Sequence, residues 1–178
     1  MSKPVSHMEI QSKEQMVLAR LSKFYSDEAV LERVKKIVTS ESEISLRLLD
    51  WLVTNYAKKH NISYLTKKDG RHVIVYLQYK SNLRAYSKKM FDPFCRWKKI
   101  QFLGMNTTVG QLSFFQWAIE DEVLDYLEEH IKEVQADMDE CSTTLQPVDG
   151  TRRKRHELSR SATKSVCHHA VKIPIKFD

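Results

Sequence analysis

The side chains best suited to chemistry in this chain are cations and aromatic rings gathered into one stretch. Residues 58–102 carry twelve Lys/Arg against two acids, Asp69 and Asp92. Eight aromatics are interleaved with them, among them Tyr64, Tyr76, Tyr79, Tyr86, Phe91 and Trp97. Ammonium and guanidinium groups beside π-faces suit a polyanion that carries stackable bases, which describes nucleic acid. The candidate phosphate contacts are Lys67, Lys68, Arg71, Lys80, Arg84, Lys88, Lys89, Arg96, Lys98 and Lys99. A second basic run, Arg152-Arg153-Lys154-Arg155, reads equally as a nucleic-acid arm, a nuclear-import signal or a solubilising tail.

The charge then inverts. Residues 120–140 hold ten acids and one Lys/Arg, Lys132. Two readings follow. In one, Tyr76, Tyr86 and Trp97 are exposed stacking platforms and the cations meet phosphates. In the other, the aromatics are core and the cations form a solvated face partly neutralised by 120–140. Exposed ion pairs contribute only about 0–1 kcal/mol each, so stability alone is a weak reason to concentrate so many charges.

Catalytic chemistry has little to draw on. Cys167-His168-His169 sets potential ligands side by side, where their side chains diverge, not at the gaps that close a tetrahedral zinc site. His130 lies three residues before Glu133, but neither HExxH nor HxxEH is completed. Asp121, Asp125, Glu128 and Glu129 read as a solvated face. Cys95, beside Pro93 and Arg96, is a candidate nucleophile without a neighbouring histidine. The four glycines, Gly70, Gly104, Gly110 and Gly150, are never clustered. A phosphate-cradling loop needs clustered glycines for its backbone to approach the anion, so P-loop and dinucleotide folds drop out. The expectation is a protein that is not an enzyme and uses no cofactor or metal.

The net charge of +6 favours acidic partners modestly, and a 42% hydrophobic share supports a genuine core. Cys95, Cys141 and Cys167 are odd in number and far apart, which reads as thiols in a reducing compartment. No 18-residue apolar run and no apolar leader are present, so neither a membrane span nor a secretory signal is expected.

The elements that must position these groups follow from periodicity. Ile10, Val17, Leu18, Leu21 and Phe24 predict a first helix over 9–25. Ser26 is expected to cap a second, with Val30, Leu31, Val34, Ile37 and Val38 as its stripe. Ile44, Leu48, Leu49, Leu52, Val53 and Tyr56 mark a third, over 42–60. The period then becomes two: 63–66 and 72–79 flank an Asp69-Gly70 turn and predict a hairpin. A short basic helix is expected over 81–90, stopped by Asp92-Pro93. Residues 99–103 alternate as a possible third strand. Thr108 and Gln111 have capping-box spacing and open one long helix to about 140. Residues 141–150 read as a linker and 151–178 as a basic, disordered tail. The fold class is α+β, mostly helical, with one globular domain over 1–140.

Three helices and a hairpin also match a winged helix-turn-helix, with Lys67, Lys68 and Arg71 on the wing. The third helix argues against groove reading. It is mostly apolar and its only central base is Arg47, where base edges require Arg, Asn, Gln or Lys.

Three blocks carry a family likeness. They are residues 49–59, opening Leu49-Asp50-Trp51-Leu52; residues 79–96, from Tyr79-Lys80-Ser81-Asn82 to Phe91-Asp92-Pro93-Phe94-Cys95-Arg96; and residues 108–119, opening Thr108-Val109-Gly110-Gln111. They resemble an uncharacterised protein family of iridoviruses and related large double-stranded DNA viruses. The resemblance implies a virus-encoded protein in the host cytoplasm or nucleus, or in the virion. It transfers no catalytic role.

The expected function is non-enzymatic association with DNA or RNA through the central basic surface and the basic tail. Contact with about five phosphates would weaken binding roughly 500-fold between about 50 and 200 mM salt. The alternative is a virion structural or assembly protein working through contacts with viral proteins. There the basic face docks on the acidic stretch of a neighbouring copy, and residues 171–177 add a strand to a partner.

Overall fold

Two helices open the part of the chain that the structure, a computed structural model, describes: residues 13–144. Helix α1 (Lys13–Phe24) buries Val17 and Leu21, and α2 (Glu28–Val38) buries Val34 and Ile37. The cap between them falls one residue later than expected. Asp27 accepts from the Ala29 amide at 3.0 Å, while Ser26 turns back and donates to the Lys23 carbonyl at 2.7 Å. Asp places a full charge at the positive end of the helix, so it takes the cap.

The third helical stretch starts at a Ser45 cap and runs as α3 (Leu46–Trp51), a π turn (Leu52–Tyr56) and α4 (Ala57–Lys59). Its expected stripe of Ile44, Leu48, Leu49, Leu52, Val53 and Tyr56 is buried throughout. The wider turn keeps Leu52, Val53, Tyr56 and Ala57 all turned inward. The apolar side chains of this stretch are spent on the core, and its exposed side carries Arg47, Asn55, Lys58 and Lys59.

Strands β1 (Ser63–Leu65) and β2 (His72–Ile74) pair antiparallel, with Ser63 opposite Ile74 and Leu65 opposite His72. The Asp69-Gly70 turn is present, and Gly70 takes the left-handed φ of 65° that glycine tolerates. The second strand is shorter than expected because α5 (Val75–Met90) begins at once. Apolar residues at 73, 75, 77 and 79 satisfy a period of two. The structure buries Val75 and Tyr79, one helical turn apart, and leaves Leu77 56% exposed.

Strand β3 (Lys99–Phe102) does not extend that hairpin. It pairs with β4 (Met105–Thr108) across a two-residue turn in which Leu103 and Gly104 have φ of 46° and 78°. Two successive positive φ angles match the twist of a tight hairpin.

The expected long helix is three segments: α6 (Val109–Glu120), α7 (Val123–Glu129) and α8 (Ile131–Thr144). Glu122, at φ 55°, breaks the first junction. Helix α8 continues into the stretch expected as linker. Helix α6 is buried on nearly every side and forms the centre of the core, where Leu112, Phe114 and Phe115 are fully enclosed. Thr108 caps α6 by accepting from the Gln111 amide at 3.0 Å. The architecture is α+β and mostly helical. No helix among the described residues is long and apolar enough to cross a membrane.

Candidate nucleic-acid interface

The structure divides the expected cationic surface in two. Lys67 reaches Glu129 at 2.5 Å, and the Lys67 and Lys68 amides donate to the Glu122 carboxylate at 2.7 and 2.9 Å. Arg71 meets Asp69 at 3.0 Å and the buried Asp121 at 3.1 Å. The hydrogen bond from Lys67 holds the Glu129 carboxyl below its ordinary range. The hairpin loop read as a wing is thus fastened to the start of the acidic stretch. Of the four acids read as a solvated face, Glu128 and Glu129 are exposed and Asp125 is partly so, with Arg33 pairing to Asp125 and Glu128; Asp121 departs from that reading, being buried and accepting from the Trp117 indole at 2.6 Å. His130, weighed above beside Glu133, stacks on Tyr126 with its Nδ1 2.9 Å from the Tyr126 carbonyl. No metal-holding cluster occurs among the described residues.

Two more candidates are engaged elsewhere. Arg96 forks onto Asp92 with contacts of 2.9 and 2.7 Å, and Lys98 reaches Glu14 at 3.3 Å. The rest are open. Lys68, Lys80, Arg84, Lys88, Lys89 and Lys99 are exposed, and none of their side-chain cations has a carboxylate within 4 Å among the described residues. Four of these six sit on α5. Lys80 and Arg84 share a helical face at i, i+4. Lys80 and Lys58 both lie over the half-buried Tyr76 ring, at 5.5 and 5.8 Å.

Near its end α5 is broken at Ser87, whose φ of 64° and ψ of 164° suit glycine and strain any other residue. Immediately after the break, Lys88 lines a cleft of about 410 Å³ and Lys89 sits over the Trp97 ring at 5.6 Å. Asp50 of α3, Tyr79 of α5 and Asp92 form the cleft's inner wall, and Arg96 and Trp97 line it further out. The first and second of the family blocks therefore meet here. Burial pushes the Asp50 carboxyl above its ordinary range, with Arg96 opposing and Asp92 adding to the rise. Burial likewise pushes the Tyr79 phenol up to about 12. Among the described residues no donor hydrogen-bonds the Asp50 carboxylate.

The aromatics follow the core reading for the most part. Tyr79, Phe91 and Phe102 are buried, and Tyr86 stacks on Phe91 with the Arg20 guanidinium 5.6 Å from its ring. Trp97 differs: it is 42% exposed. The segment that carries it is pinned to α6. Asp92 donates its amide to the Gly110 carbonyl at 3.2 Å, and the buried Gln111 side chain donates to the Pro93 carbonyl at 2.9 Å. Gln111 is thus spent on this loop and not on a reciprocal cap at Thr108. Sequence reasoning did not single out Asp50: it lies in the first family block, but no catalytic or binding motif marks it. Arg152, Arg153, Lys154 and Arg155 lie outside the described residues, as do Cys167, His168 and His169.

A family model matches residues 3–149, most of the chain. The chain belongs to DUF7197, a family of unknown function. It is similar to "Uncharacterized protein L507" of Acanthamoeba polyphaga mimivirus, with 41% identity over 73% of this chain and 55% of the relative. The chain thus spans about half the length of that viral relative. The match agrees with the expected uncharacterised family of large DNA viruses. No solved structure matches.

Proposed function

We propose that this DUF7197 protein is a non-enzymatic, virus-encoded component that holds DNA or RNA by its backbone, through the α5 strip of Lys80, Arg84, Lys88 and Lys89. The observation that carries the reading is that these four exposed cations lack a carboxylate partner while Lys67, Arg71, Arg96 and Lys98 have one. A strip that internal acids have left alone is available to phosphates. The basic run at 152–155 supplies further cations for nucleic acid, in the host cytoplasm or nucleus. The finer reading, a likeness to iridovirus proteins, is supported by the three sequence blocks alone.

The test is binding of a fluorescein-labelled oligonucleotide by anisotropy in about 50 mM salt. Reversing two exposed charges that have no carboxylate partner, Lys80→Glu with Arg84→Glu, should weaken binding by about tenfold or more. An unchanged affinity would remove α5 from the interface. The virion-assembly alternative ranks second. Its basic face was to dock on a neighbour's acids, and Asp121, Asp125, Glu128, Glu129 and Asp137 already have partners within the chain.

A further inference from the structure

The cleft beyond the Ser87 break has a polarity that a phosphate strip alone does not need. Its mouth is cationic, with Lys88 on the wall and Lys89 above Trp97. Its inner end is acidic, with Asp50 and the buried Asp92. Asp92 is committed to Arg96 by two hydrogen bonds, whereas Asp50 has no donor among the described residues. An anion is favoured at the mouth and repelled further in. A flat, uncharged group with N–H donors suits the interior. The volume of about 410 Å³ falls within the range of small-ligand pockets.

We propose that this cleft takes one nucleobase from a single-stranded segment, stacked on Trp97, with its phosphate on Lys88 and Lys89 and its amino edge toward Asp50. The inference rests on the proposal that the protein holds nucleic acid, and it names the strand and the subsite. The Lys89 ammonium lies 5.6 Å from the centre of the Trp97 ring, close enough to move onto the phosphate of a base that stacks there. Bases in a duplex have both faces stacked already and cannot enter. A carboxylate accepts from the exocyclic amino group of cytosine. Thymine offers only N3–H between two carbonyl oxygens, which a carboxylate repels. The strained backbone at Ser87 lies immediately before Lys88, which lines the cleft, and Lys89, which sits over the Trp97 ring.

The experiment uses the full chain with labelled oligo-dC and oligo-dT of about 15 nucleotides and a duplex of equal length, in about 50 mM salt. Oligo-dC should bind about fivefold more tightly than oligo-dT. Trp97→Ala should weaken single-strand binding about tenfold and leave the duplex within about twofold. Asp50→Asn should bring oligo-dC and oligo-dT within about twofold of each other, by weakening the first and relieving the repulsion of the second, and leave the duplex unchanged, which a merely structural role would not do. Equal losses on duplex and single strand, or no loss on either, overturn the cleft and leave the α5 strip standing. Absence of binding to any of the three overturns both.

Discussion

Gly110 has no room for a side chain. A Cβ there would lie 2.7 Å from the Lys89 carbonyl oxygen and 3.3 Å from the Phe91 nitrogen. Gly110→Ala is expected to cost about 1–3 kcal/mol in urea unfolding, because backbone must move to admit the methyl. Asp137 is a second single-residue fastening. It is buried and accepts from the Trp51 indole at 3.0 Å, from Lys59 and from His60 at 3.3 Å, tying α8 to α3 and α4. Burial pushes its carboxyl up, but those hydrogen bonds outweigh burial and the net direction is down. Below the unfolded value of about 3.9 the unfolded chain therefore binds the proton first. The stability from Asp137 is present above that pH and is lost as pH falls through the lower folded value. Asp137→Asn should flatten the acid limb of a melting-temperature profile. Asp50 has the opposite sign. Its raised folded value makes stability fall as pH rises from about 3.9, so Asp50→Asn should raise, not lower, the melting temperature at neutral pH. The expected stripe of α1 omits Tyr25, although it follows Leu21 by four residues and so shares its face. It is buried, donates to the Leu112 carbonyl at 2.8 Å and has its phenol pushed up by burial.

At the scale of elements, local signals were legible where they sufficed. The Asp69-Gly70 turn announced the first hairpin, and the six-residue stripe from Ile44 to Tyr56 announced a buried third helix. Signals that depend on distant partners were not legible. Helix α6 stops where Asp121 meets Arg71 and Trp117, and Glu122 swings to the amides of Lys67 and Lys68, residues more than 50 positions away. Nothing within 120–124 reveals that. Strand β4 was missed because Met105-Asn106-Thr107-Thr108 lacks apolar alternation, even though Met105, Thr107 and Thr108 are buried. Glu122→Ala should cost about 1–2 kcal/mol and speed hydrogen exchange at the Lys67 and Lys68 amides. Glu122→Gly should cost less, since glycine accepts φ 55° without strain while losing the same carboxylate. Equal costs would mean that the left-handed backbone contributes nothing.

For the whole molecule, the charge map was legible as composition and not as geometry. The sequence shows twelve bases in 58–102 and ten acids in 120–140, but not which would pair. The fold assigns Lys59, Lys67 and Arg71 to the acids and leaves Lys80, Arg84, Lys88 and Lys89 exposed without a carboxylate partner. The central claim is that this strip meets an outside polyanion. Its most direct test is the salt dependence of oligonucleotide binding. Four phosphate contacts predict a log–log slope of about −3.6, a loss of roughly 150-fold between about 50 and 200 mM salt. Failure to bind at the lower salt, or an affinity that salt does not change, would contradict it.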